Sequence, residues 1–269
     1  MLSKMKHKIA LITLCYNESK IMPFVIDYWK RFVSHAYVFD NGSTDNSKEI
    51  LSKHDWITVI DYSHLTGNKL DDIMNMNIKN NFWKTIKDNY DWIVVCDFDE
   101  CLFCDDWNNV IDALNIYKIN CVVPQYYNMI TEKFPEYVND KLFHESNNYY
   151  VNVSNEDQRN RFNKMLIFNC KNIYELNLAP GSHSCDPIEL NSNTIKSINP
   201  IKINEIKCYH LDNVGLDYII AKRNHNKNER MTEKQIKNHF AVHYMLENDE
   251  IIKEFNEKWN NKKRIINNE

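Results

Sequence analysis

Three carboxylates directly follow a short apolar run in the first half of the chain. The run Ile93–Cys96 is continuously apolar, which is typical of a strand covered on both faces, and Asp97, Asp99 and Glu100 come immediately after it. In an extended chain, Asp97 and Asp99 point to the same side. Two converging carboxylates suit Mg²⁺ or Mn²⁺ bound together with a substrate phosphate. The alternative is an acidic turn that caps the next helix, and the pattern alone favours that reading.

Two upstream segments predict further polar clusters at the ends of strands. An apolar run at 9–14 is followed by the polar string 15–19, and a second run at 36–39 is followed by the polar string 40–47. A helix is predicted over 21–32 between the two runs, with Pro23 in its first turn. The second string can turn and then cap a helix from Ser43 or Thr44.

The order of these elements predicts an α/β fold. Strand, helix, strand, helix and strand in succession favour right-handed crossovers and a mostly parallel central sheet flanked by helices. Parallel strands would then deliver the three polar clusters to one edge, where open α/β sheets bind ligands. We expect residues 1–125 and 126–225 to form the two halves of one domain. A helical C-terminal extension would cover 226–269, where apolar residues recur at helical spacing.

The three motifs together resemble those of family 2-like glycosyltransferases with the GT-A fold. The resemblance rests on the strings 14–18, 39–45 and 97–100, and the last is similar to a subgroup with the motif Asp-x-Asp-Glu. Cys101 stands where that subgroup continues with Phe. The likeness covers about the first half of the chain and is thinner at 164–167, 181–184 and 209–223.

This resemblance implies a GT-A-like, Rossmann-like fold and a sugar transfer. It makes 1–125 the nucleotide-binding half of a domain at 1–225, and 126–225 the acceptor or catalytic half. Such an enzyme moves a sugar from a nucleotide-diphosphate sugar, here a UDP-sugar, to a hydroxyl of a glycan, lipid-linked or protein acceptor in glycan or polysaccharide synthesis. Mn²⁺ or Mg²⁺ stabilises the leaving nucleoside diphosphate. The resemblance makes Asp99 a metal ligand and Asp97 a partner of the ribose or of the metal shell. It places these residues around the nucleotide: Cys15, Asn17, Glu18, Asp40, Asn41 and Asp45. For Glu18 and Asp45, helix capping is an equal alternative.

The general base and the remaining metal ligands come from the second half of the chain. Glu156-Asp157 resembles the acidic pair of inverting GT-A enzymes, which makes Asp157 the candidate base, with a plain helix cap as the alternative. A retaining enzyme would need no such base. His183 and His210 are candidate metal ligands by the same resemblance. His183 lies beside Gly181 in a loop, whereas His210 could equally be a core histidine.

Composition argues against several other classes of protein. The net charge of −4 gives no broad basic surface for nucleic acid, and no apolar run approaches the ~20 residues of a membrane span. Scattered cysteines and the lack of a signal-peptide pattern favour a cytoplasmic location. The amphipathic tail ends in Lys262-Lys263-Arg264, which could contact a lipid surface that carries the acceptor.

Three alternative functions can be weighed from the sequence. A sugar nucleotidyltransferase would carry a glycine-rich phosphate loop after its first strand, but residues 14–20 contain no glycine. A degenerate, non-catalytic protein that binds a glycan or nucleotide remains an alternative to the enzyme. His239 and His243 have the spacing of a zinc protease helix, yet the general-base glutamate of that motif is absent. We therefore exclude the protease.

Overall fold

A parallel four-stranded unit forms the first half of the fold. The computed structural model describes residues 5–151, 166–182, 184–191 and 194–265. Strand β1 (Ile9–Cys15) lies between β4 (Trp92–Val95) and β2 (His35–Asp40), and β3 (Ile57–Asp61) lies beyond β2. All three pairings are parallel. The prediction of an α/β fold with a mostly parallel centre is confirmed.

Five short helices connect these strands: α1 (Met22–Trp29), α2 (Ser47–Ser52), α3 (Ser63–Thr66), α4 (Asp72–Asn81) and α5 (Trp83–Ile86). A 3-10 turn follows at Lys87–Asn89. The predicted start of α2 at Ser43 or Thr44 is wrong. Both residues bind Asn17 of the preceding loop instead, so the helix begins only at Ser47.

Beyond β4 the sheet continues with mostly antiparallel pairings and one parallel pair. Its elements are β5 (Glu100–Phe103), α6 (Trp107–Ile116), β6 (Cys121–Thr131), α7 (Phe143–Ser146), β7 (Tyr149–Val151), β8 (Leu166–Asn169) and β12 (Ile201–Val214). Strand β8 lies antiparallel between β4 and β6, while β12 runs parallel to β6 and antiparallel to β5. The strand predicted at 120–124 is therefore longer, because β12 pairs with it as far as Thr131.

A smaller antiparallel sheet stands apart from the main one. It consists of β9 (Ile173–Glu175), β10 (Ile188–Asn191) and β11 (Thr194–Ser197). A 3-10 turn at Pro180–Ser182 lies between β9 and β10. The turn and the residues before it pack against α4, since Ser182 Oγ lies 3.2 Å from Lys79 Nζ and Asn80 Nδ2 donates to the carbonyl of Leu178 at 3.0 Å. The loop that leads to residue 183 is thereby held against the first half of the fold.

The core has two main apolar clusters, which lie on opposite faces of the main sheet. In β1, Ile9 and Leu11 enter one cluster, whereas Ala10 and Ile12 enter the other. All four side chains are at most 1% exposed. Alternate residues therefore face opposite layers of packing, which explains why the run is continuously apolar.

The C-terminal segment is helical only in part. It comprises α8 (Leu216–His225), a π-helical turn at Asn226–Arg230, α9 (Glu233–Lys237), a 3-10 turn at Val242–Met245, α10 (Asn248–Asn260) and β13 (Lys263–Arg264). His239 and Ala241 have φ values of 55° and 51°, which interrupt the helix after α9. His239 and His243 therefore do not share a helical face. Strand β13 pairs with β7 in the main sheet. In the described ranges, no helix has both the length and the apolarity needed to cross a bilayer.

Gly215 fixes the start of α8. It has φ +72°, and a Cβ there would lie 2.7 Å from the backbone nitrogen of Phe134. Gly215→Ala should lower the free energy of unfolding by about 3 kcal/mol, because it adds a backbone clash to left-handed strain. Chemical denaturation measures this loss.

Gly67→Ala is the matched control. Gly67 has φ +61°, and a Cβ added there would have no heavy atom within 4 Å. It should therefore lose only about 1 kcal/mol, from backbone strain alone. Equal losses at the two glycines would contradict the close approach of Gly215 to Phe134.

Candidate functional site

The polar strings follow the carboxyl ends of neighbouring parallel strands, as the sequence predicts. Cys15 is the register partner of Asp40, and the Asn41 N–H donates to the Cys15 carbonyl at 3.0 Å. Strand β4 ends at Val95, on the other side of β1. We call the carboxylates of Glu18, Asp40, Asp97 and Asp99 the acidic edge.

Asp99 is the centre of an ion cluster at this edge. His210 Nε2 lies 3.6 Å from Asp99 Oδ1, and Lys222 Nζ lies 3.7 Å from Asp99 Oδ2. Lys222 Nζ also lies 2.8 Å from Glu18 Oε1. The Leu211 N–H donates to the Asp99 carbonyl at 2.9 Å, which fixes β12 beside the turn. Four separate segments of the chain thus meet at one point.

Burial and charge act in opposite directions on these groups. Burial raises the pKa of Asp99, but His210 and Lys222 outweigh it, and the net pKa is lowered. Burial raises the pKa of Glu18 to about 6, although Lys222 opposes the shift. Burial alone would lower the pKa of His210, yet the Asp99 carboxylate raises it to about 9. His210 is therefore a second cation beside Asp99 at neutral pH.

Asp97 has a different partner from Asp99. Its Oδ1 lies 2.5 Å from Lys79 Nζ, and Lys79 is only 2% exposed. Lys79 Nζ also lies 3.2 Å from Ser182 Oγ, so this lysine joins the turn after β4 to the loop before residue 183. The two aspartates lie in a turn between β4 and β5 rather than in an extended strand. Their carboxylates consequently meet different cations.

The described residues supply two donors that could take part in metal binding around Asp99. Within the ranges 5–151, 166–182, 184–191 and 194–265, no group of three His, Cys, Asp or Glu side chains is arranged to hold a metal ion. Asp99 and His210 contribute one carboxylate and one imidazole, and His210 Nδ1 is held 2.9 Å from Asn128 Oδ1. Two candidates named from the sequence, His183 and Asp157, lie outside the described residues.

Asp40 is fully buried at the end of β2. Its Oδ1 accepts hydrogen bonds from the N–H groups of Gly42 and Ser43 at 3.0 and 2.9 Å, and Lys48 Nζ lies 3.8 Å away. Its Oδ2 has no hydrogen-bond partner within the described part of the chain. A buried carboxylate oxygen without a hydrogen-bond partner is costly.

The other residues predicted around the nucleotide hold the loops together. Asn17, at φ 54°, accepts from the Thr44 N–H through Oδ1 at 2.8 Å. Asp45 Oδ2 accepts from the Ser19 N–H at 3.0 Å. Asn41 Nδ2 donates to the Lys69 carbonyl at 2.9 Å. These bonds fix the loop backbones, and contact of their side chains with a nucleotide stays a prediction.

Cys15 is a buried thiol at the end of β1, only 2% exposed. Its pKa is raised by burial and by the nearby Glu18 and Asp40 carboxylates, so the thiol is neutral. A neutral, buried thiol packs as a small apolar group rather than as a nucleophile. Its contact with a nucleotide stays a prediction.

The C-terminal segment reaches the same edge. The guanidinium of Arg230 lies 3.6 Å from the centre of the Tyr16 ring, and the Tyr16 hydroxyl lies 2.9 Å from His225 Nε2. The Leu70 N–H donates to the Arg230 carbonyl at 3.1 Å. Residues beyond 225 thus contact the loops that follow β1 and β3.

Sequence reasoning assigned no role to Lys79 or Lys222. Lys79 precedes Phe82, Trp83 and Ile86 by three, four and seven residues, so it interrupts an apolar helical stripe. That pattern could have indicated a buried cation. For Lys222, the only sequence signal was the weak resemblance of segment 209–223 to the glycosyltransferase family. Its partners lie more than 120 residues earlier in the sequence, and no local pattern predicts such a pairing.

No family model and no curated protein matches the chain significantly. Among solved structures, it is similar to S. aureus TarS 1-349 in complex with UDP-GlcNAc, at 11% identity over 88% of this chain and 71% of that one, with a TM-score of 0.41. In a second alignment with TarS 1-349, this chain spans 47% of the length of the TarS chain. GalNAc-T7 with UDP, GalNAc and Mn²⁺ aligns with 46% of this chain and 23% of its own, at 9% identity and a TM-score of 0.34. Likeness this low does not establish an activity.

The raised pKa of His210 gives a pH prediction. Its folded pKa of about 9 exceeds the ordinary 6.5, so its pairing stabilises the fold fully below pH 6.5 and less as pH rises through 9. The stability advantage of the wild type over His210→Gln should therefore shrink between these pH values. Thermal or urea unfolding across the range measures it.

His64→Gln, on the exposed side of α3, is the control and should keep the wild-type pH profile. The difference between the wild type and His210→Gln isolates the histidine, since the other titrating groups are common to both proteins. Parallel stability curves for these two proteins between pH 6.5 and 9 would mean that Asp99 does not hold His210 in its charged form.

Proposed function

We propose that this chain is a GT-A-like glycosyltransferase that moves a sugar from a nucleotide-diphosphate sugar to an acceptor hydroxyl. The observation that carries the proposal is the ion cluster around Asp99 at the carboxyl end of β4, with His210 and Lys222 within 4 Å. Carboxylates and cations meeting at this edge of a parallel sheet suit a ligand that carries phosphate. The sequence motifs supply the reaction class, and a UDP-sugar is the proposed donor.

The residues around the acidic edge would have different roles in binding the donor. Asp40, buried at the end of β2, would accept a hydrogen bond from the nucleobase or ribose through Oδ2. Asn17, Asn41 and Asp45 hold the two loops that frame the nucleotide. Asp97 stays paired with Lys79 and so keeps the turn after β4 in place.

Mn²⁺ or Mg²⁺ fits this donor set as a metal with few protein ligands. Asp99 would hold it together with His210, which would have to lose its proton to bind a metal. Such ions are commonly bound by one or two side chains and completed by water and phosphate oxygens. When bound, the ion supplies Lewis-acid stabilisation of the departing nucleoside diphosphate. His183 and Asp97 remain candidates for the same shell.

The acceptor half of the proposal covers 126–225, within a transferase domain at 1–225. The acceptor would be a glycan, a lipid-linked sugar or a protein, and Asp157 would be the general base of an inverting reaction. Residues 226–269 form the extension, which contacts the nucleotide loops through Arg230 and the sheet through β13. A cytoplasmic location, with peripheral membrane contact through the basic tail, belongs to the same proposal.

A nucleotide-release assay tests this function. Purified protein is incubated with UDP-, GDP- and CMP-sugars in Mn²⁺ or EDTA, and the released nucleotide is measured. Release from one donor should require the metal and should fall by about 100-fold or more in Asp99→Asn, which keeps the shape but removes the charge. Asp105→Asn, at an exposed position beyond β5, should keep full activity.

The pattern of results separates the alternatives. Metal-dependent nucleotide binding without release would favour a donor site that lacks its acceptor. Failure to bind any of the nucleotides, with the protein folded, would contradict the transferase and leave the non-catalytic binding protein. Release of inorganic pyrophosphate from a nucleoside triphosphate and a sugar phosphate would indicate a nucleotidyltransferase instead.

A further inference from the structure

Lys222 brings a positive charge to the acidic edge from a distant part of the chain. It lies on α8, and its side chain is 26% exposed. Its ammonium group lies 2.8 Å from Glu18 Oε1 and 3.7 Å from Asp99 Oδ2. One cation thus bridges the loop after β1 and the turn after β4. Its partial exposure leaves it within reach of a bound molecule.

The cations that face Asp97 and Asp99 from other elements are less accessible. Lys79 is only 2% exposed and is held by Asp97 and Ser182. His210 is 8% exposed, with one ring nitrogen held by Asn128 and the other facing Asp99. Among the described cations within 4 Å of Asp99, Lys222 is therefore the one that a ligand can contact directly.

An incoming diphosphate meets unfavourable charge at this site unless a cation is exposed there. Glu18 and Asp99 are both acceptors only and would repel phosphate oxygens. Lys222 has three N–H donors on a flexible stem, which suits it to bind phosphate as a compact charge. Its contact with Asp99 is longer than a hydrogen bond, so a phosphate oxygen can replace that contact at little cost.

We propose that Lys222 is a donor-binding residue that contacts the diphosphate of the nucleotide. Its ammonium group would turn from Asp99 to the phosphate oxygens, with no covalent change. Tyr218, one helical turn earlier, donates to Glu18 Oε2 at 3.3 Å and keeps this carboxylate in place as Lys222 turns. The inference rests on the proposed function. It adds a lysine to a site for which the sequence predicted acidic and histidine residues.

Binding of UDP tests the inference, measured by calorimetry with Mg²⁺ and again with EDTA. Lys222→Met keeps the apolar stem and removes the charge, and it should bind UDP roughly 10- to 100-fold more weakly than the wild type. Lys222→Arg should restore most of the affinity, because it retains a positive donor. The loss should persist in EDTA, where a metal cannot bridge the phosphate and Asp99.

Lys227→Met is the matched control. Lys227 follows α8 by two residues, is 24% exposed, and pairs with Glu247 at 2.5 Å, so its setting is similar except for the acidic edge. The Lys227→Met protein should bind UDP with the same affinity as the wild type. Unchanged UDP binding in a folded Lys222→Met protein would overturn the inference. Failure of the wild type itself to bind UDP would instead refute the proposed donor, which separates the two claims.

A second measurement uses the wild-type protein and does not depend on a variant that folds. An amine-reactive acylating reagent is applied with and without saturating UDP, and modification of each lysine is followed by mass spectrometry. UDP should slow the modification of Lys222 at least severalfold and leave Lys227 unchanged. Equal rates at Lys222 with and without bound UDP would overturn the proposed contact.

Discussion

The arrangement of the site depends on the compensation of Asp99 by two cations. Asp99 follows the central strand β4, and its carboxylate would be costly there without His210 and Lys222 beside it. These partners come from β12 and α8, which are separated from Asp99 by more than 100 residues. The same contacts therefore join the two halves of the fold and give the edge a nearly balanced charge. When Lys222 turns to a phosphate ligand, His210 still faces Asp99, so neither the carboxylate nor the ammonium group is left unpaired.

The rest of the fold places these groups within reach. Strand β12 pairs with both β5 and β6, so His210 lies opposite Glu100 and beside Asn128. Gly215 then turns the chain into α8, close to the backbone of Phe134. This turn sets the position of α8 and so of Lys222. On the other side, α4 brings Lys79 under Asp97. Each cation is thus fixed by a strand of the sheet or a helix packed on it, while the carboxylates lie at the strand ends and in the loops that follow them.

Local sequence patterns predicted where the strands end. They could not predict which side chains from distant segments pair with one another. The apolar runs before Asn17, Asp40 and Asp97 are buried strands because their side chains face packing on both sides of the sheet. The positions of Lys79 and Lys222 depend on contacts between distant segments, which leave no periodic signal. The C-terminal helix breaks at positive φ near His239 without a glycine or proline to mark it. Sequence reasoning therefore named the carboxylates of the acidic edge and His210, and it missed Lys79 and Lys222.

Hydrogen–deuterium exchange with UDP and Mn²⁺ tests the central claim most directly, because it reports where a ligand binds without requiring turnover. The account predicts slower exchange in segments 13–18, 40–47, 96–100 and 209–222, which meet at the acidic edge. The strands of the small sheet, 173–175, 188–191 and 194–197, should exchange at their unliganded rates. Protection confined to these strands, or no protection of the strand ends at saturating UDP, would contradict a nucleotide site at the carboxyl ends of the parallel strands.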